Sequence, residues 1–478
     1  MDRHVKSSKE VLAWIAAQRR VTSISSVIIA LLLMFLIGIL LYLVNLSILE
    51  KEIPQQVTYI APPSDEIDDD ASQKKAQIQI ARRPTPPGGG VPSKIISAIT
   101  ISPIAAPTMV EPTLDQSFGI DEGFGNDTEK GFGGGDFGTV PGGAGKRCNT
   151  DDRLARLATT GGSPQCETAV INALRYLKKK QHKEGFWGEE HRCGITGLAL
   201  LAYLGHCETP VSEEFGEVVF NAIVYLIDRA MKNRGRIFDD RKGPWCYEHA
   251  IATYALCESY LFSRSFGYQV PNLKKVVQEA VQWIIDSQNT VGSWDYRYGG
   301  GGRYDTSITA WHLQALKAAK SIRLKLPKLE DTVSRGLQSL IDAQLPSGGI
   351  GYDPNRKDEG NLPLTGAGVL CLQQHHGRRD FDARQGIGHI AKNSRFNFKK
   401  NANFYEHYYV SQTAINEGGA FWKSYNKMFR DQMVTNQNED GSWPNPPGNK
   451  HSAGTVYNTA LATLMLEVYY RYLPGTGK

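Results

Sequence analysis

No two cysteines of this 478-residue chain are spaced Cys-x-x-Cys, so the paired ligand spacing typical of zinc sites is missing. Dense basic stripes are missing too. Lys and Arg number 54 against 49 Asp and Glu, a formal net charge of only +5 with both signs scattered, which excludes the electrostatic footprint of a nucleic-acid binder. Long apolar runs are scarce: there is one, and it lies near the N-terminus.

That run, Val27 to Val44, sits inside a stretch from Val21 to Leu49 without a charged residue, long enough to span a bilayer. It continues into Asn45-Leu-Ser-Ile-Leu-Glu50 with no small-residue cleavage site, which predicts an uncleaved anchor rather than a signal peptide. Arg3, Lys6, Lys9, Arg19 and Arg20 precede it against only Asp2 and Glu10, so residues 1–20 are expected in the cytoplasm and everything after the 21–49 anchor outside it, in a periplasm-like space.

Residues 50–150 change character. Arg83-Pro-Thr-Pro-Pro-Gly-Gly-Gly90 and Gly131-Phe-Gly-Gly-Gly135 offer too little apolar surface to offset the entropy of ordering them, which predicts a disordered tether with a span of about 50–60 Å. The seven cysteines lie beyond these stretches, at 148, 166, 193, 207, 246, 257 and 371. In an oxidising compartment an odd count leaves at least one unpaired; Cys148 and Cys166 flank the entry to the body and are placed to staple it, with the connectivity left open.

From residue 151 to 478 one pattern dominates: Gln, three residues, Gly, one residue, Trp. It runs Gln181-Gly185-Trp187, Gln288-Gly292-Trp294 and Gln437-Gly441-Trp443. A fourth copy carries Gln344, Gly348 and Ile350, and a fifth Met231, Gly235 and Ile237. Self-similarity near fifty residues marks a repeat architecture. Each copy follows an amphipathic segment and precedes one apolar on most sides, such as Ser307-Ile-Thr-Ala-Trp-His-Leu-Gln-Ala-Leu316. Between Gln344 and Gln437 lies room for one degenerate unit over about 380–420, whose second helix is expected at Tyr405-Glu-His-Tyr-Tyr-Val-Ser. Six hairpins of outer amphipathic and inner apolar helices hide their ends by closing on themselves. The expected fold is all-α: an α/α toroid of six helical hairpins, preceded by a transmembrane helix and a disordered linker.

The repeats, with Asp305-Thr-Ser-Ile-Thr-Ala-Trp-His-Leu-Gln-Ala-Leu316, resemble those of squalene cyclases and of protein prenyltransferase beta subunits, and are similar to membrane-anchored bacterial proteins carrying such repeats. The resemblance covers about 160–473 and implies a toroid; fold does not carry function with it. A cyclase of this kind implies an Asp-x-Asp-Asp motif, and the chain has none. A prenyltransferase implies a zinc held by Asp, Cys and His with Asp and Cys two apart, but Asp305 is followed by Thr and Ser.

A closed ring gathers the starts of its inner helices around one mouth, and the candidate residues lie there. His249, Glu248 and Asp305 are the catalytic candidates, the histidine as proton carrier and the glutamate tuning it. Tyr247, Tyr405, Glu406, His407, Tyr457 and Asn458 are the ligand-binding candidates. Each has a structural alternative: Asp305 as an N-cap, Glu248 and Glu406 as first-turn anions favoured by the helix dipole, the histidines as satisfied helix-start residues. Cys193, Cys246 and His249 are the one set from which zinc ligands could be drawn; no cofactor is expected. The expected function is a binding or scaffolding module for an apolar, isoprenoid or envelope ligand, with a divergent cyclase or prenyltransferase-like enzyme as the alternative.

Overall fold

The computed structural model describes residues 148–471, apart from 240–242, 297, 299–300, 355–359 and 450–451, together with two short backbone stretches upstream. The chain divides into two units, Met1–Lys74 and Lys75–Lys478. The expected anchor at 21–49 and the whole first unit lie outside the described residues. Among the described residues no helix is long and apolar enough to cross a membrane. Within the expected tether, β1 (Gln79–Arg82) and β2 (Lys94–Ser97) pair antiparallel, Gln79 opposite Ser97; most of the remainder of 50–150 lies outside the described residues.

The body is helical. Its outer helices are α2 (Pro164–Lys180), α4 (Gly216–Lys232), α6 (Leu273–Asp286), α8 (Leu329–Asp342), α10 (Phe381–Asn393) and α12 (Gly419–Thr435). Alternating with them are inner helices α3 (Arg192–Gly205), α5 (Trp245–Ser265), α7 (Thr306–Ser321), α9 (Leu362–His375), α11 (Phe404–Glu417) and α13 (Thr455–Leu466). The inner helices pack in the order α3, α5, α7, α9, α11, α13 and back to α3, while α13 also packs on α2, so the ring is closed. The unit expected around 380–420 is α10 and α11. Two further elements complete the body: α1 (Thr150–Thr160), capped by Asn149, and a single C-terminal turn, α14 (Val468–Arg471), which packs on α1, α11 and α13.

Every letter of the repeat motif has a physical task. The Gln side-chain amide donates twice: to the carbonyl of its own loop Gly, and to a carbonyl in the first turns of the next outer helix. These second acceptors are Val218, Thr332, Asp382 and, across the ring closure, Ala169. The motif glycines sit at positive φ, and a Cβ on Gly185, Gly292, Gly348 or Gly441 would overlap a backbone carbonyl of that same next helix. Trp187, Trp294 and Trp443 are buried, and each indole N–H donates to the outer-helix carbonyl ten residues back: Leu177, Ile284 and Met433. The motif is therefore a clamp between consecutive hairpins. In the second hairpin Met231 has no amide and is exposed; there Trp283 supplies the link, its indole donating to Arg234 O at 2.7 Å.

One disulfide joins Cys148 to Cys207, with Cα atoms 5.2 Å apart, and so staples the entry segment to the end of α3. Cys166, the partner suggested by position along the chain, is a free buried thiol; burial in the core keeps it from Cys148, whereas the C-terminal end of α3 lies beside the entry. Alongside the staple runs a buried ionic chain. Arg153 of α1 bonds Glu167 of α2 at 2.9 Å, and His206 bridges Glu167 at 3.0 Å and Glu208 at 2.8 Å.

Candidate functional site

The backbone N–H following each clamp bonds one residue near the start of the next inner helix, and these bonds set the rotational phase of the ring. Trp187, Trp294, Ile350 and Trp443 donate to the hydroxyls of Thr196, Thr309, Thr365 and Thr459. Ile237 donates instead to Nδ1 of His249 at 3.0 Å. In the degenerate fifth hairpin the corresponding residue is His407, whose Nδ1 is 3.0 Å from the Tyr425 hydroxyl of the outer helix. These six residues face outward. At about 100° per residue, side chains two before and two, five and nine after them face the lumen.

Contacts across the ring confirm that phase. α7 and α11 are separated by α9, yet the Ser307 hydroxyl lies 2.6 Å from that of Tyr405 and the Trp311 and Tyr409 rings lie 5.8 Å apart, pairing luminal positions across the ring. The lumen is thus occupied by side chains. Its waist, Leu198, Ile251, Trp311, Tyr409 and Leu461, is buried, Ile251 being the most exposed at 7%. Its floor carries polar groups: Glu258 with Arg471 of α14 at 2.8 Å, Gln374, and Asn416. Above the waist, Tyr247, Pro363, Tyr405 and Tyr457 are only partly buried.

The mouth layer of inner-helix residues is Gly194, Tyr247, Ser307, Pro363, Tyr405 and Tyr457, joined by Tyr296 from the loop before α7. All four tyrosines are half-buried. That loop is pinned where the Cys246 thiol donates to Tyr296 O at 3.1 Å. Tyr409 donates to Tyr405 OH at 3.4 Å, so Ser307, Tyr405 and Tyr409 form a hydroxyl chain under the rim. Arg303 stacks on the Tyr296 ring at 5.0 Å and pairs with Asp295 at 3.6 Å.

Asp305 caps α7: one carboxylate oxygen accepts from Ile308 N at 3.1 Å, and its own N–H donates to Ser293 Oγ. The other oxygen, Oδ2, is buried and accepts no hydrogen bond of normal geometry, while the Ser307 N–H and the Arg303 charge also favour the carboxylate. Burial raises the carboxyl pKa, and its charge in turn contributes to the raised hydroxyl pKa values of Tyr247, Tyr296 and Tyr405, for each of which burial is the larger cause. Capping and an unspent oxygen coexist in one side chain.

The remaining candidates separate from the mouth. His249 is fully buried; Nδ1 accepts from Ile237, Nε2 donates to Ala280 O at 3.1 Å, and burial lowers its pKa to about 4, so both nitrogens are spent on backbone. Glu248 accepts from Cys193 N at 3.0 Å and lies 3.5 Å from His191, tying α5 to α3. Glu406 accepts from Ser394 Oγ at 2.7 Å, with burial lifting its pKa to about 7, and His407 is lowered to about 3 by burial against Phe396 and Tyr425. Asn458 is knotted to Asn445, Asn449 and Ser452 within its own loop. Tyr247, Tyr405 and Tyr457 do meet at the rim. Cys193, Cys246 and His249 spend their polar groups in different places, and among the described residues no three His, Cys, Asp or Glu side chains are placed to hold a metal ion. Sequence reasoning missed Tyr296, which no helical period marks, and the luminal role of Trp311 and Tyr409, which follows only from the register.

No protein-family model matches the chain, and no curated protein matches it. Among solved structures it is similar to a protein from Actinoplanes (16% identity over 64% of this chain and 99% of that one, TM-score 0.41). It is also similar to an inactive variant of an alpha-1,6-mannanase of Salegentibacter in complex with alpha-1,6-mannotetrose (10%, 64% and 99%, TM-score 0.49). A third likeness is to a type II terpene cyclase from Scytonema in complex with geranylgeranyl dihydroxybenzoate (11%, 64% and 97%, TM-score 0.42). The toroid itself stands on the helix packing above, and nothing about substrate follows from these likenesses.

Proposed function

We propose that the protein is an extracytoplasmic binding module, held to a membrane by residues 21–49, which takes up an envelope ligand in the bowl at the mouth of its toroid. The observation that carries this reading is the filled lumen beneath half-buried tyrosines. A polycyclisation or prenyl-transfer site needs an apolar chamber deep enough to enclose its substrate. Here Trp311, Tyr409, Ile251 and Leu461 occupy that depth. What is left is a shallow seat of rigid amphipathic rings, the surface from which recognition sites are built. The Cys148–Cys207 disulfide supports the compartment, since such bonds persist where the environment is oxidising.

The test is co-sedimentation of the full chain with its own cell-envelope fraction, beside a Tyr247→Ala/Tyr405→Ala/Tyr457→Ala variant whose melting is checked first. Retention that depends on the tyrosines supports the reading; equal retention of both proteins sinks it. A second reading, an enzyme with a divergent site, is favoured by one observation, the buried Oδ2 of Asp305, which accepts no hydrogen bond of normal geometry. It predicts that an Asp305→Asn variant, which keeps a side-chain oxygen for the cap, loses turnover of the bound ligand while still binding it.

A further inference from the structure

We infer that the bowl seats a pyranose unit of a neutral polysaccharide, an inference that rests on the binding-module reading above and names its ligand class. The argument is one of lining chemistry. Every aromatic ring at the mouth, Tyr247, Tyr296, Tyr405 and Tyr457, carries a hydroxyl, although the chain has 17 phenylalanines to draw on. The aliphatic side chains Leu198, Ile251 and Leu461 lie one layer down, buried in the packed waist. An isoprenoid gains most from the opposite arrangement, aliphatic walls and depth, because its affinity comes from apolar area removed from water. A pyranose ring needs neither. It has an apolar C–H face that lies flat on an aromatic ring and a belt of hydroxyls that need donors and acceptors in the plane of that face.

The bowl supplies both halves. The faces of Tyr247, Tyr405 and Tyr457 give the platform, that of Tyr296 being covered by Arg303, and the Ser307–Tyr405–Tyr409 hydroxyl chain gives groups that donate or accept as the sugar requires. The inner-helix layer itself carries no lysine or arginine, and Arg303, the cation against Tyr296, is paired with Asp295, so a neutral ring fits the described part of the mouth. Partly exposed rings set directly on a packed waist contact one unit of a chain rather than enclosing a free sugar.

The experiment uses the full chain in zwitterionic detergent, titrated calorimetrically with hexasaccharides of glucose, mannose, xylose and N-acetylglucosamine and, separately, with geranylgeraniol. The expected result is saturable binding of at least one hexasaccharide, weakened about tenfold by Tyr457→Ala, which is about 1.4 kcal/mol. Tyr405→Phe, which keeps the ring and so the fold, should weaken it about threefold to tenfold through the lost hydroxyl. Phe381→Ala on the exposed outer wall should leave it unchanged. Tyrosine-dependent binding of geranylgeraniol without any hexasaccharide overturns the ligand class and leaves the binding-module reading standing. Binding of neither, or binding indifferent to the tyrosines, overturns both.

Discussion

Ile237 donates its backbone N–H to Nδ1 of His249, the bond that four other hairpins direct to a threonine hydroxyl. One ring position thus has two chemical solutions: Thr in four hairpins, and His in the second and, with a different partner, in the fifth. An imidazole engaged in this way, with Nε2 also donating to Ala280 O, is held neutral; burial depresses its pKa to about 4.

The first prediction concerns that imidazole. His249→Ala leaves the Ile237 N–H unmet, removes the second donor to Ala280 O and opens a void, at a cost of about 2–4 kcal/mol. His249→Thr restores one acceptor and should recover about 1 kcal/mol of it. The sign with pH is set by a folded pKa of about 4 below an unfolded 6.5: stability from this group is full above 6.5 and is lost as pH falls toward 4. Denaturant midpoints at pH 7.5 and pH 5 for wild type and both variants check this. If His249→Ala is as stable as wild type at pH 7.5, the bond has no structural weight.

Gln437 bears on closure. Its amide donates to Gly441 O at 2.9 Å and to Ala169 O at 2.8 Å, linking the last hairpin to the first. Gln437→Leu keeps the volume and removes both donors, and should cost about 1–3 kcal/mol. Because a broken closure frees both ends of the array, hydrogen exchange in α2 and α12 should rise more than in α7. Uniform acceleration around the ring would show that the clamp is no different from its equivalents at Gln181, Gln288 and Gln344.

These two sites also show what can be read from the chain. Gln, Gly and Trp were legible because the clamp is local, closing a loop over seven residues, and because its spacing survives in four of six hairpins. The degenerate fifth unit was legible as a gap. The equivalence of His249 with Thr196 and Thr459 was not, since the loop between the clamp and its acceptor runs from 9 residues at Trp187 to 16 at Trp443, and sequence spacing cannot see through it. The same holds for Tyr296, brought to the mouth by a thiol bond from another hairpin, and for Cys207, which meets Cys148 only because the ring turns the end of α3 toward the entry. Asn458 shared a helix start with Tyr457, yet one residue of helical phase sends it into a loop knot instead of the rim.

His206 makes the entry segment sensitive to alkaline pH. Burial works against its charged form, but the carboxylates of Glu167 and Glu208 outweigh burial and lift the pKa to about 9. A folded pKa above the unfolded 6.5 contributes stability that is complete below pH 6.5 and disappears as pH rises through 9. The amount is on the order of 3 kcal/mol for a buried group shifted this far. Thermal melts from pH 6 to 9.5 should show wild type losing stability across that window, while His206→Gln starts lower and stays flat. Parallel slopes for the two proteins would mean that the network does not hold the proton.

Arg471 and Glu258 test whether α14 secures the floor of the lumen. Their side chains are each 1% exposed and 2.8 Å apart, and the same guanidinium nitrogen reaches Tyr254 OH at 3.1 Å. A pair buried this deeply gives up much of its attraction to desolvation, so its net contribution is small, but removing one partner strands the other in a medium that cannot solvate it. Arg471→Met and Glu258→Met should therefore each destabilise by about 3–5 kcal/mol, and the double variant should regain most of that loss. Urea midpoints of the three variants decide the matter. Additive losses would mean that the two charges act independently; strong compensation would mean that the last helical turn is locked to α5 through the lumen and holds the packed interior on which the shallow bowl depends.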